Sequence, residues 1–153
     1  MKKLILIALI FSLSAGSIVT AQTKQTQKER FQPIYNITKS TIKSDNYQFV
    51  ANVIYNDEGR ETLDGELNNI QINKSSVSGR LNGFSKDRMI LSINEDNSKI
   101  SVDYNDEKQE VLIDIDAISH KITIEVKPNG NAFLVITKMD GNELKYGGKL
   151  VKL

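Results

Sequence analysis

Asp114, Asp116, Ser119 and His120 fall within seven residues of one another, and these are the side-chain types that supply a nucleophile, a base and an orienting carboxylate. A triad works only when its members converge in space, usually from separate elements, so closeness along the chain is weak support. No G-x-S-x-G elbow is present to expose a serine. His120 is the only histidine, which excludes a zinc site built from several histidines. The plainer reading makes it a polar turn residue. Asp114 and Asp116 share one strand face, spaced roughly 6.6 Å along the chain, a separation in the range used by paired-carboxylate glycosidases. The same alternation arises on any solvated strand, with Val111, Ile113 and Ile115 turned inward. An envelope hydrolase using Asp114, Asp116 or His120 is therefore the weakest functional class, and no catalytic residue is assigned.

Other chemistry has less support. The turns Asn56-Asp57-Glu58-Gly59 and Asn94-Glu95-Asp96-Asn97 offer carboxylates but lack the spacing that wraps a calcium ion. Gly79, Gly83, Gly147 and Gly148 precede no convincing helix and form no phosphate loop. The chain has no cysteine, so disulfides, thiol nucleophiles and thiolate metal sites are excluded. No metal or cofactor is expected. The aromatic platforms that carbohydrate sites favour are also thin, since tryptophan is absent.

The elements that would position any site begin after a leader. Lys2 and Lys3 precede an apolar run from Leu4 to Leu13, followed by Val19-Thr20-Ala21. This is the pattern of a secretory signal peptide over residues 1 to 21, cleaved after Ala21, leaving the protein periplasmic or extracellular. The run is too short for the roughly 20 residues of a membrane-crossing helix. Gln22 stands where a lipoprotein would carry cysteine, so no lipid anchor is implied. Without Lys2 and Lys3 the chain has 18 basic and 19 acidic residues, a net charge of −1. That balance disfavours a nucleic-acid partner, which normally demands a clustered basic face.

Residues 22 to 32 read as a flexible lead-in, because 22 to 30 contain no apolar side chain. From Pro33 the spacing of Ile34, Ile37, Thr38, Thr41 and Ile42 predicts a short amphipathic helix over 33 to 43. Strands follow at 47–55, 69–72, 76–81, 89–94, 99–105, 110–117, 121–127, 132–139 and 143–149, separated by turn residues such as Pro128-Asn129-Gly130 and Asp140-Gly141-Asn142. Asp140 and Gly141 together suit a two-residue hairpin with positive φ at both positions. Even spacing with tight turns predicts a single domain over 33–153, mainly β. We expect an antiparallel meander of about eight or nine strands, curled into a barrel-like sheet with a short N-terminal helix packed on it. A membrane barrel is disfavoured, because the charged residues recur on one face of several strands and the aromatic girdles are missing.

Near the C-terminus, Gly130-Asn131-Ala132-Phe133-Leu134-Val135 is followed by Leu144-Lys145-Tyr146-Gly147-Gly148. With Tyr47-Gln48-Phe49-Val50-Ala51 upstream, this pattern resembles the exported bacterial family catalogued as domain of unknown function 4251. The family's Leu-Pro-aromatic-aromatic-Gly element is replaced here by Leu81-Asn82-Gly83-Phe84-Ser85. The resemblance implies an exported, mostly β domain and supplies no catalytic residues. Gly130, Gly148 and Tyr146 are expected to serve the fold: a hairpin corner, a close backbone approach, and a buried ring with a paired hydroxyl.

The strand at 132–139 carries Phe133 and Val135 on one face and Ala132, Leu134 and Ile136 on the other, so it reads as covered on both sides. The helix at 33–43 or the opposite wall of the sheet would cover it. This pattern motivates the favoured expectation, a non-enzymatic binding domain holding a small apolar or amphipathic ligand in the curled sheet. The alternative is an envelope protein-interaction module working through an edge strand or loops such as Asn82 to Asp87. A cavity beside Phe133 favours the first, solid packing the second. Ligand-binding residues and oligomeric state are left open.

Overall fold

The computed structural model describes residues 26 to 153, so the expected signal peptide and the first residues of the lead-in lie outside the described part. Helix α1 spans Gln27–Lys43. It begins six residues ahead of Pro33, so part of the expected lead-in is helical. The cause is a capping box. The Thr26 hydroxyl accepts from the Glu29 amide at 3.2 Å, and the Glu29 carboxylate accepts from the Thr26 amide at 2.9 Å. The buried stripe is Tyr35, Thr38, Thr41 and Ile42, whereas Ile37, expected on that face, is 67 % exposed.

The strands are β1 (Asn46–Asn56), β2 (Gly59–Thr62), β3 (Asn69–Asn73), β4 (Ser76–Asn82), β5 (Ile90–Glu95), β6 (Lys99–Asn105), β7 (Glu110–Asp116), β8 (His120–Val126), β9 (Asn131–Lys138) and β10 (Glu143–Lys152). Nine of them form one antiparallel path, β5-β4-β3-β1-β10-β9-β8-β7-β6, and the short β2 pairs with β1 off that path. The sheet is a half-barrel, in keeping with the expected meander. The first and last strands of the path, β5 and β6, are joined by only Asp96, Asn97 and Ser98. They share no ladder, so this link forms a corner at which the two ends of the curled sheet meet. It is fastened there: the Ser98 amide donates to the Ser75 carbonyl at 2.9 Å, and the Ser76 hydroxyl donates to Asp96 at 2.6 Å.

The concave side is filled by alternate residues. Phe49, Ala51, Ile54, Ile70, Val77, Leu81, Ile113, Ile115, Ile122, Ile124, Ala132, Leu134, Ile136 and Tyr146 are all fully buried, which is the packing expected where period-2 strands curl around their own apolar face. Two expectations are corrected. Strand β9 is covered on one side only, since Phe133 is 37 % exposed on the convex face while its neighbours Ala132 and Leu134 are sealed. Gly147 stands opposite Phe133 in the ladder and carries no side chain to shield the ring. The β9–β10 hairpin has a three-residue loop in which Gly141 alone takes positive φ, at 82°, closed by the Lys138 amide donating to the Asn142 carbonyl at 3.0 Å.

Candidate functional site

Of the residues that first suggested catalysis, Asp116, Ser119 and His120 line one open pocket of about 230 Å³, with no hydrogen bond between their side chains, and Asp114 is not part of it. Asp114 accepts from the Thr123 hydroxyl at 2.8 Å across the β7–β8 ladder, and Asp116 lies on the same outward face while Val111, Ile113 and Ile115 are buried behind them. His120 is the first residue of β8, not a turn residue, and the carboxylate near it is Glu95, with Nδ1 to Oε1 at 3.8 Å. Glu95 also accepts from the backbone amides of Ile118 and Ser119. It therefore caps the β7–β8 turn from the end of β5, which is a structural task. The Nδ1 atom of His120 has no hydrogen-bond partner among the described residues.

The surface beside Phe133 is an open groove of about 470 Å³ on the convex face, lined by Val53, Tyr55, Asn56, Gly59, Arg60 and Phe133. Behind Phe133 the side chains of Ala132, Leu134 and Ile136 are fully buried.

A different cleft, of about 390 Å³, opens at the C-terminal end of α1. Helix α1 packs on β1 and β10, and its outer side chains reach the β6–β7 turn and the end of β6. Along the first part of this contact Gln109 donates to the Lys28 carbonyl at 3.0 Å and to Gln32 at 2.8 Å. Farther on, Asp106 accepts from the Tyr35 hydroxyl and from Lys39, each at 2.8 Å, and the Lys39 ammonium lies 5.7 Å from the Tyr104 ring centre. The helix then ends at Ser44, short of the start of β6. The cleft occupies the uncovered stretch. Ile42, Tyr47, Ile72, Ile100 and Val102 make its apolar walls, and Asp45, Lys74, Ser75 and Ser98 its polar ones.

Ser98 distinguishes this cleft from ordinary surface relief. It is 8 % exposed, and its Oγ finds no hydrogen-bond partner among the described residues. A buried hydroxyl left unpaired costs free energy on the order of 1–3 kcal/mol, so its place in the wall of a cleft marks a point where a hydrogen bond is available. Lys74 is held at φ 53° and donates its backbone amide to the Asp45 carbonyl at 2.7 Å, tying the β3–β4 turn to the end of the helix. Burial drives the Tyr47 phenol well above its usual range, so its ring is a neutral wall of the cleft.

The helix tether is pH-sensitive. The hydrogen bond from Lys39 first, and that from Tyr35 next, hold the Asp106 carboxyl below its ordinary value, while burial and the same hydrogen bond push Tyr35 up to about 12. A carboxylate whose folded pKa is depressed stabilises the fold above the unfolded value of about 4, and the contribution is lost as pH falls through the lower folded value. Asp106→Asn is therefore expected to lower the melting temperature at pH 6 and to have a progressively smaller effect below pH 4. Melting curves of both proteins over that range check it; a difference that grows in acid would contradict the sign.

Comparison with known proteins fixes the lineage. The family model described as Domain of unknown function (DUF4251) matches residues 29–150. The chain belongs to the DUF4251 family. A crystal structure of a DUF4251 family protein from Bacteroides eggerthii DSM 20697 is similar over 82 % of this chain and 92 % of that one, with a TM-score of 0.68 and 14 % identity. At that identity the likeness speaks for the fold alone. No curated protein matches the chain.

The residues that carry the DUF4251 pattern prove to be fold determinants. Gly130 turns the β8–β9 hairpin at φ 81°. Tyr146 is fully buried and donates its hydroxyl to the Asn82 carbonyl at 3.2 Å, so one part of the pattern anchors the segment where this chain departs from the family's Leu-Pro element. The residues of the cleft went unread because α1, β1, β3 and β6 supply them from distant parts of the chain. In β6, Ile100, Val102 and Tyr104 are half-buried and alternate with exposed residues. Nothing in its spacing named the end of α1 as the facing wall.

Proposed function

We propose that this DUF4251 protein is a non-enzymatic binding domain, acting outside the cytoplasm, that holds a small apolar or amphipathic molecule in the cleft between the end of α1 and the first half of β6. The single observation that carries this reading is the unpartnered Ser98 hydroxyl in the wall of a cleft where Ile42, Ile72, Ile100 and Val102 meet Asp45, Lys74 and Ser75. A concave, mostly apolar site with a few placed polar groups is the usual form of a small-molecule site, and about 390 Å³ falls within its usual size. No helix among the described residues is long and apolar enough to cross a membrane. The signal-peptide pattern read in residues 1 to 21 supports export.

Native mass spectrometry of the protein isolated from the envelope of the cells that make it is expected to show an added mass that disappears on denaturation. Recovery at the bare chain mass alone would overturn this reading. A protein-interaction module is the second reading, favoured by the open groove beside the half-exposed Phe133.

A further inference from the structure

The strand path has two open edges, and they differ in chemistry. Edge β5 carries one charged side chain, Glu95, which is already bonded to the amides of Ile118 and Ser119. Edge β6 begins Lys99-Ile100-Ser101-Val102-Asp103, with Lys99, Ser101 and Asp103 exposed and Ile100 and Val102 half-buried. Proline and bulges, two devices that blunt an edge, are absent from it, and its two charges are of opposite sign. Neither charge enters an ion pair among the described residues. Which backbone groups face the open side follows from the next hairpin. The Ala117 amide donates to the His120 carbonyl at 3.0 Å, so the odd-numbered residues of β7 bond to β8, while Leu112, Asp114 and Asp116 bond to β6. Their partners Asp103, Ser101 and Lys99 turn their backbone toward β7, which leaves the N–H and C=O of Ile100 and Val102 pointing out of the sheet. Ser98 agrees with this alternation, since its amide leaves the β6–β7 ladder and reaches Ser75.

We infer that β6 pairs with β6 of a second copy of this chain, antiparallel and about a two-fold axis at Ser101. In that register Ile100 faces Val102 of the second copy and Val102 faces its Ile100, and each pair exchanges both of its backbone hydrogen bonds. Lys99 then stands across from Asp103 of the second copy, twice by symmetry, at non-hydrogen-bonded positions where opposed side chains come closest. No other antiparallel register sets these two charges against each other. A shift of the pairing toward either end calls on the Ser98 amide, already bonded, or on Tyr104, whose ring lies under Lys39. The contact is self-complementary, as a two-fold interface requires, and extends the sheet of one copy into the next. It goes beyond the small-molecule reading, because it uses backbone groups at the sheet edge and charges on the convex face.

The test is sedimentation equilibrium of the purified protein, as its cells process it, over a wide range of concentration. A reversible equilibrium between monomer and dimer is expected, weak because the contact is small. Asp103→Lys and Lys99→Asp each turn two opposite-charge contacts into like-charge ones, and each is expected to raise the dissociation constant on the order of tenfold. The exchanged chain, Lys99→Asp with Asp103→Lys, sets opposite charges across the axis again and should return the constant to within about threefold of the parent. Val102→Pro removes an amide that faces the open edge and none that bonds to β7. It should keep its β-sheet circular dichroism and stay monomeric. A parent chain that is monomeric at every concentration, a dimer indifferent to the single charge changes, or an exchanged chain no tighter than the single variants would overturn the inference. Lys99 also faces Asp116 within its own chain, so melting is recorded for each variant. If the Lys99→Asp chains fail to fold, Asp103→Lys and Val102→Pro decide, and a dimer as tight as the parent's in either overturns the inference.

Discussion

Replacing Gly148 by alanine is expected to unfold the protein or to cost about 4 kcal/mol or more, the range reached only by a few severe mechanisms. A β-carbon on Gly148 would lie 1.9 Å from the Val50 carbonyl oxygen and 3.1 Å from the Ala51 α-carbon. Both atoms belong to backbone, so no side-chain rotation relieves the clash and the two strands must part. They meet here beside an irregularity, where the β1–β10 register shifts between Ala51 and Val53 so that Asn52 has no ladder partner. The strand crowds its neighbour at this point, and only glycine fits. Gly59→Ala is the control: nothing lies within 4 Å of an added carbon there, and its effect should stay within about 0.5 kcal/mol. Urea denaturation of the two variants decides the matter. A Gly148→Ala midpoint close to that of the parent would mean that the close approach of β1 to β10 has been misjudged.

Leu134→Ala is expected to cost about 3 kcal/mol, within the range for truncating a buried leucine, whereas Phe133→Ala should cost less than about 1 kcal/mol despite removing more atoms. The two residues are adjacent and point to opposite faces of β9. Leu134 is fully buried against Ile124 and Tyr146, its ladder partners on either side, while Phe133 is partly exposed between Glu125 and Gly147. Thermal unfolding separates them plainly, since about 3 kcal/mol corresponds to a fall of roughly 10 °C in a domain of this size. The reverse order would place the core on the convex face and overturn the assignment of inside and outside for the whole sheet.

Comparison of sequence and structure shows what kind of information local pattern holds. Period-2 alternation located β6 through β10 to within a few residues, because each of these strands has one face more sheltered than the other, only half-buried in β6, and the pattern is written entirely in its own residues. It misjudged β9 because five apolar residues in succession look alike whether the outer two are sealed or half open. The early start of α1 was legible: Thr26 and Glu29 have capping-box spacing, but the polar composition of residues 22 to 30 masked it. Strand β2 was not foreseen, since Gly59–Thr62 has no alternation of its own and exists only as a pairing with β1. The cleft was illegible for a different reason. Ser98 sits in an ordinary polar turn by composition, and its isolation from hydrogen-bond partners follows from the corner between β5 and β6, which is a property of the closed sheet.

The strand path also governs how the molecule can assemble. Strands β1 to β5 can form from contacts made within the first half of the domain, and β6 to β10 from contacts within the second. The β1–β10 ladder then brings Tyr47 against Lys152, near the two ends of the domain. Such a seam carries a large loop-closure entropy and tends to be slow to nucleate. Until the final strand is available, both halves expose a greasy flank with nothing to lie against. The chain thus has its longest window of vulnerability to aggregation just before it is whole, and a keeper that shields half-made sheet would act at that moment.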